Sequence, residues 1–273
     1  MFLLRQITKT ALGAFFLLLL SSQVFAGVTI TPNTVVIEGR ERYADVTLVN
    51  QDTKPNTYEM GWRFNRQDEE TGKYQSIDKP TTEWDLSQNA VFSPKRITLM
   101  PGTTQKVRLA LRLKGEPPAP GDYRGHLEFK EASPPPVNTT TGKPQVGINI
   151  RVGFAVPVVY RVGESNATAQ IGQVSTQINP KNGKIEAVVP IIKSQSPYGI
   201  MGELEVFYKP NGGEETNIGG IVNANIFPEI TRRTFRPGLR ISDLKAGTLR
   251  IVYKDRVASK NLVYTEKTIR IGQ

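Results

Sequence analysis

The sequence predicts an all-β protein of two sandwich domains behind an export signal, and three observations predict it. Short runs with an apolar side chain at every second position recur along the chain, the period of a half-buried strand. Turn-forming residues separate these runs and no convincing amphipathic helix interrupts them, which argues for antiparallel sheets packed face to face. The chain has 273 residues, more than one sandwich core takes, and domains cluster near about 100–150 residues.

Residues 1–26 read as a secretory signal peptide. Arg5 and Lys9 precede the apolar run ALGAFFLLLLSS, and Val24-Phe25-Ala26 forms an A-x-A-like cleavage site before Gly27. That run is too short for a comfortable membrane span, and no later stretch approaches about 18 uninterrupted apolar residues. The mature chain is therefore expected to be exported and not membrane-embedded. The chain has no cysteine, which excludes disulfides, a lipoprotein anchor, thiolate metal sites and a cysteine nucleophile.

From Val28 the first domain unfolds as strands. VTITPNTVVIEG contains Pro32 and suits an edge strand or a kinked one. YADVTLVNQ sets Ala44, Val46 and Leu48 on one face, and NTYEMGWRFNRQ sets Tyr58, Met60, Trp62 and Phe64 on one face. Ile97 and Leu99 belong to a strand that ends at the Pro101-Gly102 turn, where Pro presets φ and Gly supplies a positive one. Val107, Leu109, Leu111 and Leu113 alternate after it, then Tyr123, Gly125, Leu127 and Phe129. ASPPPVNTTTGKP, between Ala132 and Pro144, has the composition of a mobile loop. A second series begins near Ala169, with GKIEAVVPIIK, GELEVFYKP, GTLRIVYKD and NLVYTEKTIRIG, and with turns at Asn182-Gly183 and Pro210-Asn211-Gly212-Gly213. The division is expected at 27–161 and 162–273, with Arg161 to Ser165 as the hinge.

Chemistry has little to work with. His126 is the one histidine of the sequence and sits inside a strand pattern, which suits a structural side chain better than a general base. Asp68-Glu69-Glu70 before Thr71-Gly72 reads as a charged loop tip. No P-loop, nucleophile elbow or dinucleotide fingerprint appears, and the NIGGIV around Gly219 and Gly220 lacks the lysine and helix of a phosphate loop. Asn138 and Asn166 head glycosylation sequons, a pattern common by chance. The expectation is no catalytic residue, no metal and no cofactor. The net charge of +10 is spread among interleaved acids. Its densest basic cluster, Arg232, Arg233, Arg236 and Arg240, lacks the aromatic platform of single-strand nucleic-acid binding.

The strongest signal is QVGINIRVGFAVPVVYR, Gln145 to Arg161, with Val146, Ile148, Ile150, Val152, Phe154, Val156 and Val158 at every second position. These residues are either core across two consecutive strands or one long strand. Pro157 offers no N–H, so the strand cannot be paired on both sides there, and the stretch emerges from the proline-rich loop. Both features suggest an edge. An unguarded apolar edge is a liability unless it takes up a strand from another protein or a second copy.

In TPNTVVIEG, TLVNQ followed by MGWRF, FSPKRITLMPGTTQKVRL, GDYRGHLEF and VPVVYR, in that order, the chain resembles the periplasmic pilus-assembly chaperones of the chaperone-usher pathway. The resemblance covers most of residues 28–162; the second domain matches more loosely at GTLRIVYKD and VYTEKTIRI. It implies two immunoglobulin-like domains in an L or boomerang arrangement. It further implies a strand lent to a pilus or fimbrial subunit that lacks its own last strand, and delivery of that subunit to an outer-membrane usher. Counting back from Tyr160-Arg161 places the principal donor residues at Ile148, Ile150 and Val152, flanked by Val146 and Phe154. At about 1.5–3 kcal/mol per buried aliphatic side chain, the three central ones would supply roughly 4–9 kcal/mol before ordering costs. The resemblance assigns Arg161 to fixing the interdomain angle, with Asp122 as a partner. It departs at one point. Where the pattern has a cleft arginine and lysine that hold the subunit's terminal carboxylate, this chain has Thr34 and Pro157, so the chain reads as a divergent branch with Arg151 as a candidate carboxylate contact. The alternatives are an immunoglobulin-like fibre subunit or adhesin, for which the segment before the first strand is short, and a carbohydrate-binding module, for which Trp62 and Trp84 alone form no platform.

Overall fold

The computed structural model describes residues 27–69, 71–78, 84–113, 118–132, 153–257 and 262–272. The signal segment, Glu70, most of the proline-rich loop including Asn138, and residues 145–152 of the alternating stretch lie outside the described residues.

Among the described residues, the first half forms ten strands: β1 (Val28–Thr31), β2 (Val35–Ile37), β3 (Tyr43–Asn50), β4 (Asn56–Gln67), β5 (Tyr74–Ile77), β6 (Ala90–Ser93), β7 (Arg96–Leu99), β8 (Thr104–Leu111), β9 (Gly121–Glu131) and β10 (Gly153–Val162). One sheet runs β1-β3-β8-β6, and the facing sheet runs β2-β10-β9-β4-β5 with β7 also on β4. Pro32 interrupts the first extended segment between β1 and β2. On its near side β1 pairs antiparallel with β3, and on its far side β2 pairs parallel with β10, so one segment serves both sheets. The kink expected from Pro32 is thus a change of sheet. Gly102 takes a φ of 69° at the turn between β7 and β8, a conformation that favours glycine. These strand orders are those of an immunoglobulin-like sandwich.

The second half forms β11 (Ala169–Ile171), β12 (Ser175–Ile178), β13 (Ile185–Lys193), β14 (Gly202–Pro210), β15 (Thr216–Ile221), β16 (Arg232–Phe235), β17 (Gly247–Asp255) and β18 (Val263–Ile271). Strand β13 carries β11 and β12 on successive parts of its length and pairs with β16, while the facing sheet runs β15-β14-β17-β18. Gly183, at a φ of 68°, turns β12 into β13, and Gly212, at 75°, turns β14 into β15. The all-β class with two sandwiches is the observed class; among the described residues the one helical element is the three-residue 3-10 turn Leu86–Gln88.

Each sandwich has its own core. Val46, Leu48, Leu109, Leu127, Phe129 and Val158 are fully buried in the first, as are Val189, Ile191, Leu204, Val206, Leu249 and Ile251 in the second. These are the inward positions of the alternating runs. Burial also occurs where alternation does not predict it. On β4 the inward face passes from Tyr58 and Met60 to Asn65 and Gln67, and on β9 both Tyr123 and its neighbour Asp122 are buried. Their outer faces meet the second sandwich. Between the two halves Val159, Met201 and Phe227 form a small apolar cluster, with Val36 against it.

Candidate functional site at an open sheet edge and the domain junction

Strand β10 is paired along its whole length with β9, from Gly153 opposite Lys130 to Val162 opposite Gly121. On its other side β2 covers only Val158–Tyr160. Among the described residues, no strand pairs with Gly153–Pro157 on the side away from β9. Pro157 stands opposite His126, at the step where this open edge gives way to β2, which accommodates its missing N–H. The sequence upstream, Val146 to Val152, continues the same alternation toward the open end.

Of the residues singled out in the sequence, Val146, Ile148, Ile150, Arg151 and Val152 lie outside the described residues. Phe154 is half-buried, packs against the first core and lies 6.2 Å from the ring of Tyr58. Val156 and Val158 are buried in that core. Register across the β2–β10 pair puts Thr34 and Pro157 one step upstream of the paired Val35 and Val158.

Arg161 lies at the junction. Its Nε donates to Asp122 Oδ1 at 2.7 Å and its Nη2 to Asp122 Oδ2 at 2.8 Å, the bidentate geometry of a strong pair. The pair faces Gly199 of the second half: Nη2 also donates to the Gly199 carbonyl at 3.0 Å, and the Gly199 N–H donates to Asp122 Oδ2 at 2.8 Å. Burial by itself would push the Arg161 pKa down, but the bonds and charge of Asp122 hold it above its ordinary value. A side chain at Gly199 would place its Cβ 2.9 Å from the Ile226 carbonyl oxygen, so glycine is what lets the backbone approach.

A second polar contact lies across the same junction. Arg124 on β9 pairs with Glu229, donates to the Asn65 carbonyl at 2.7 Å and stacks 4.5 Å over the ring of Phe227. Glu229 also accepts the Gln67 N–H at 2.9 Å, while the Gln67 amide donates to Asn225 O and accepts from Phe227 N. Glu69, expected on a charged loop tip, accepts from the backbone N–H and hydroxyl of Thr231. His126 lies beside this contact, 2% exposed, with neither ring nitrogen hydrogen-bonded and with Tyr74 and Phe227 against it. Desolvation first, and then Arg124 and Arg63, lower its pKa to about 3. At neutral pH it is a buried, neutral imidazole. Lys193 is also buried and donates to the carbonyls of Ser194 and Ser196. Nothing local distinguishes Arg124, Glu229, Gln67 or Lys193 from surface residues; the one available signal was the polar end NRQ of a strand that alternates up to Phe64.

Among the described residues, no group of three His, Asp or Glu side chains is placed to hold a metal ion, and no helix is long and apolar enough to cross a membrane. What the site offers is backbone hydrogen-bonding groups at a sheet edge, apolar side chains beside them, and a second domain held at the end of that edge. Such a surface suits strand addition.

No family model and no curated relative matches the chain. Among solved structures, the Pseudomonas aeruginosa CupB2 chaperone is similar at 13% identity over 90% of this chain and 100% of its own, with a TM-score of 0.42. The class 5 fimbriae chaperone CfaA is similar at 11% identity over 89% of this chain and 98% of its own, with a TM-score of 0.42. The SafB chaperone of Salmonella enterica, solved with the SafA pilin, gives 11% identity over 92% of this chain, 99% coverage of the matched chain and a TM-score of 0.43. These are distant likenesses to chaperones, one of them described as a fimbrial chaperone and one crystallised with a pilin.

Proposed function

We propose that this chain is a non-enzymatic periplasmic chaperone of the chaperone-usher type. It captures pilus or fimbrial subunits by lending them the strand that ends in β10, and hands them to an outer-membrane usher. The reading takes residues 1–26 as the export signal, 27–161 as the subunit-binding domain and 162–273 as the second domain. Ile148, Ile150 and Val152 are the central donor residues, Val146 and Phe154 flank them, and Arg161 with Asp122 orients the two domains. No cofactor enters, since the apolar groove of an unfinished subunit supplies the driving force itself.

The observation that carries the reading is the edge of β10 at Gly153–Pro157, which among the described residues is paired only with β9, in a stretch whose sequence alternates seven apolar residues from Val146 to Val158. A long apolar edge left open is an aggregation hazard unless it has an occupant. The test is affinity capture from the periplasm of the native host, comparing the mature chain with an Ile148→Asp plus Ile150→Asp variant whose fold is verified by circular dichroism. The expected outcome is a small exported β-rich subunit near one to one with the parent and its loss from the folded variant. Equal capture by both, or a homodimer of the parent with no other partner, would overturn the reading.

A further inference from the structure

The densest basic cluster of the sequence is divided by the sheet that carries it. On β16, Phe235 is buried in the second core, and Arg233 donates from Nη1 to the Asn225 carbonyl at 2.6 Å and stacks 4.6 Å over the Phe235 ring. Arg232 and Thr234 stand on the opposite, outer face, and Arg236 is the next alternate residue; both arginines are exposed. Register sets Arg232 beside Ile192 and Thr234 beside Pro190 on β13. On the other side of β13, Gln170 stands beside Ile192 and Ser175 beside Val188. Because Ala187, Val189 and Ile191 are fully buried, Val188, Pro190 and Ile192 form the outer row. The first two are half-buried and Ile192 is 38% exposed. This face therefore has an apolar row along its middle and two arginines along one margin, about 13 Å apart.

No carboxylate offsets these arginines. Among the described residues, neither Arg232 nor Arg236 makes an ion pair, and neither do Lys181 and Lys184, exposed on the β12–β13 turn at the end of the face. Glu186, the acid that β13 turns to this face, is 6% exposed and accepts from the amides of Gln177 and Asn179. Glu69, which reaches the margin from the first sandwich, is engaged by the N–H and hydroxyl of Thr231. An uncompensated basic margin beside an apolar row matches a plane of phosphates over hydrocarbon: guanidinium groups bind phosphate oxygens bidentately, and the apolar row sits against the boundary beneath. A protein partner would need donors and acceptors matched by position, and the neutral Gln170, Ser175 and Thr234 give it little to match. The export signal read in residues 1–26 puts a membrane within reach of the mature chain. We propose that the outer face of β13 and β16 binds an anionic phospholipid surface, reversibly, with Arg232 and Arg236 on phosphates and Ile192 at the boundary of the acyl region. This needs only the export reading, and it stands or falls separately from strand capture, which uses β10.

The probes are vesicles of phosphatidylcholine alone and vesicles with about one-third phosphatidylglycerol, sedimented with the mature chain at low salt. The chain is expected to bind the anionic vesicles and not the neutral ones, and to be released as salt is raised. Arg232→Gln plus Arg236→Gln should weaken that binding about 25-fold, at about fivefold per arginine near an anionic surface. Ile192→Ser should weaken it by a smaller factor without changing its salt dependence. The control is Arg40→Gln plus Lys54→Gln, two exposed cations of the first sandwich, which removes the same charge and should leave binding within about twofold; circular dichroism verifies the fold of each variant. Equal weakening by the two double variants would mean that net charge alone attracts the chain and would overturn the assignment of this face. Equal binding to both kinds of vesicle, or to neither, would overturn the proposal. So would retention on polyglutamate, without vesicle binding, that is lost with Arg232→Gln plus Arg236→Gln: the face would then take an acidic protein segment.

Discussion

His126 carries a titration that is independent of any catalytic role. In the folded chain its pKa is lowered to about 3 by burial, and the charges of Arg124 and Arg63 add to the effect; in the unfolded chain a histidine titrates near about 6.5. Below that value the unfolded state binds a proton that the native state refuses. The histidine's contribution is therefore fully present above pH 6.5 and is lost as pH falls toward 3, at up to about 1.4 kcal/mol per pH unit. His126→Leu, whose side chain suits the space between Tyr74 and Phe227, should reduce the slope of stability against pH by about one proton between pH 6 and 4. Urea unfolding of parent and variant at several pH values in that window measures it; identical slopes would mean that the imidazole is solvated in the native state.

Strand β10 has two jobs along its length. Its second half is core: Val158 and Tyr160 face the first sandwich, and Val159 faces the second. Among the described residues its first half, Gly153–Pro157, is paired on one side only, and Phe154 lies within that half. It packs on Tyr58 within its own domain, so Phe154→Ala should lower the stability of the free protein by about 1.5–2.5 kcal/mol, half the cost at a fully buried site. A denaturation midpoint unchanged from the parent would instead mark Phe154 as reserved for a partner. The alternating pattern made this strand legible over Gly153–Val162, because a period of two describes one buried face. It did not reveal that residues on the other face, such as Val159, are also buried, since that face is covered by residues far away in sequence.

Buried ion pairs and a small apolar cluster lie between the two sandwiches. Arg124 and Glu229 have side chains 11% and 9% exposed, and removing one partner of such a pair typically costs about 3–5 kcal/mol because the other is left buried and uncompensated. Glu229→Gln should therefore lower the thermal midpoint of unfolding and broaden the distribution of interdomain angles seen by small-angle X-ray scattering, while leaving each sandwich folded by circular dichroism. A variant with an unchanged midpoint and scattering curve would show that the Asp122–Arg161–Gly199 bridge alone holds the junction. The apolar cluster of Val159, Met201 and Phe227 is small beside either core.

The sequence by itself determined the class of fold, the course of most strands and the turns that join them. Alternation, proline and glycine act within a few residues, so their effects can be read locally. It also marked the long alternating stretch, whereas the pair Arg161 and Asp122, now seen bonded across the β9–β10 register, was expected only from the resemblance. Only the tertiary structure decided which polar residues are interior. Gln67, Asp122, His126 and Lys193 are buried, and Arg256 reaches Asn33, because a second sandwich closes over one face of the first. Burial at such a junction depends on surfaces far apart in sequence, 77 residues between Asp122 and Gly199 and 158 between Gln67 and Asn225, and no local pattern encodes it.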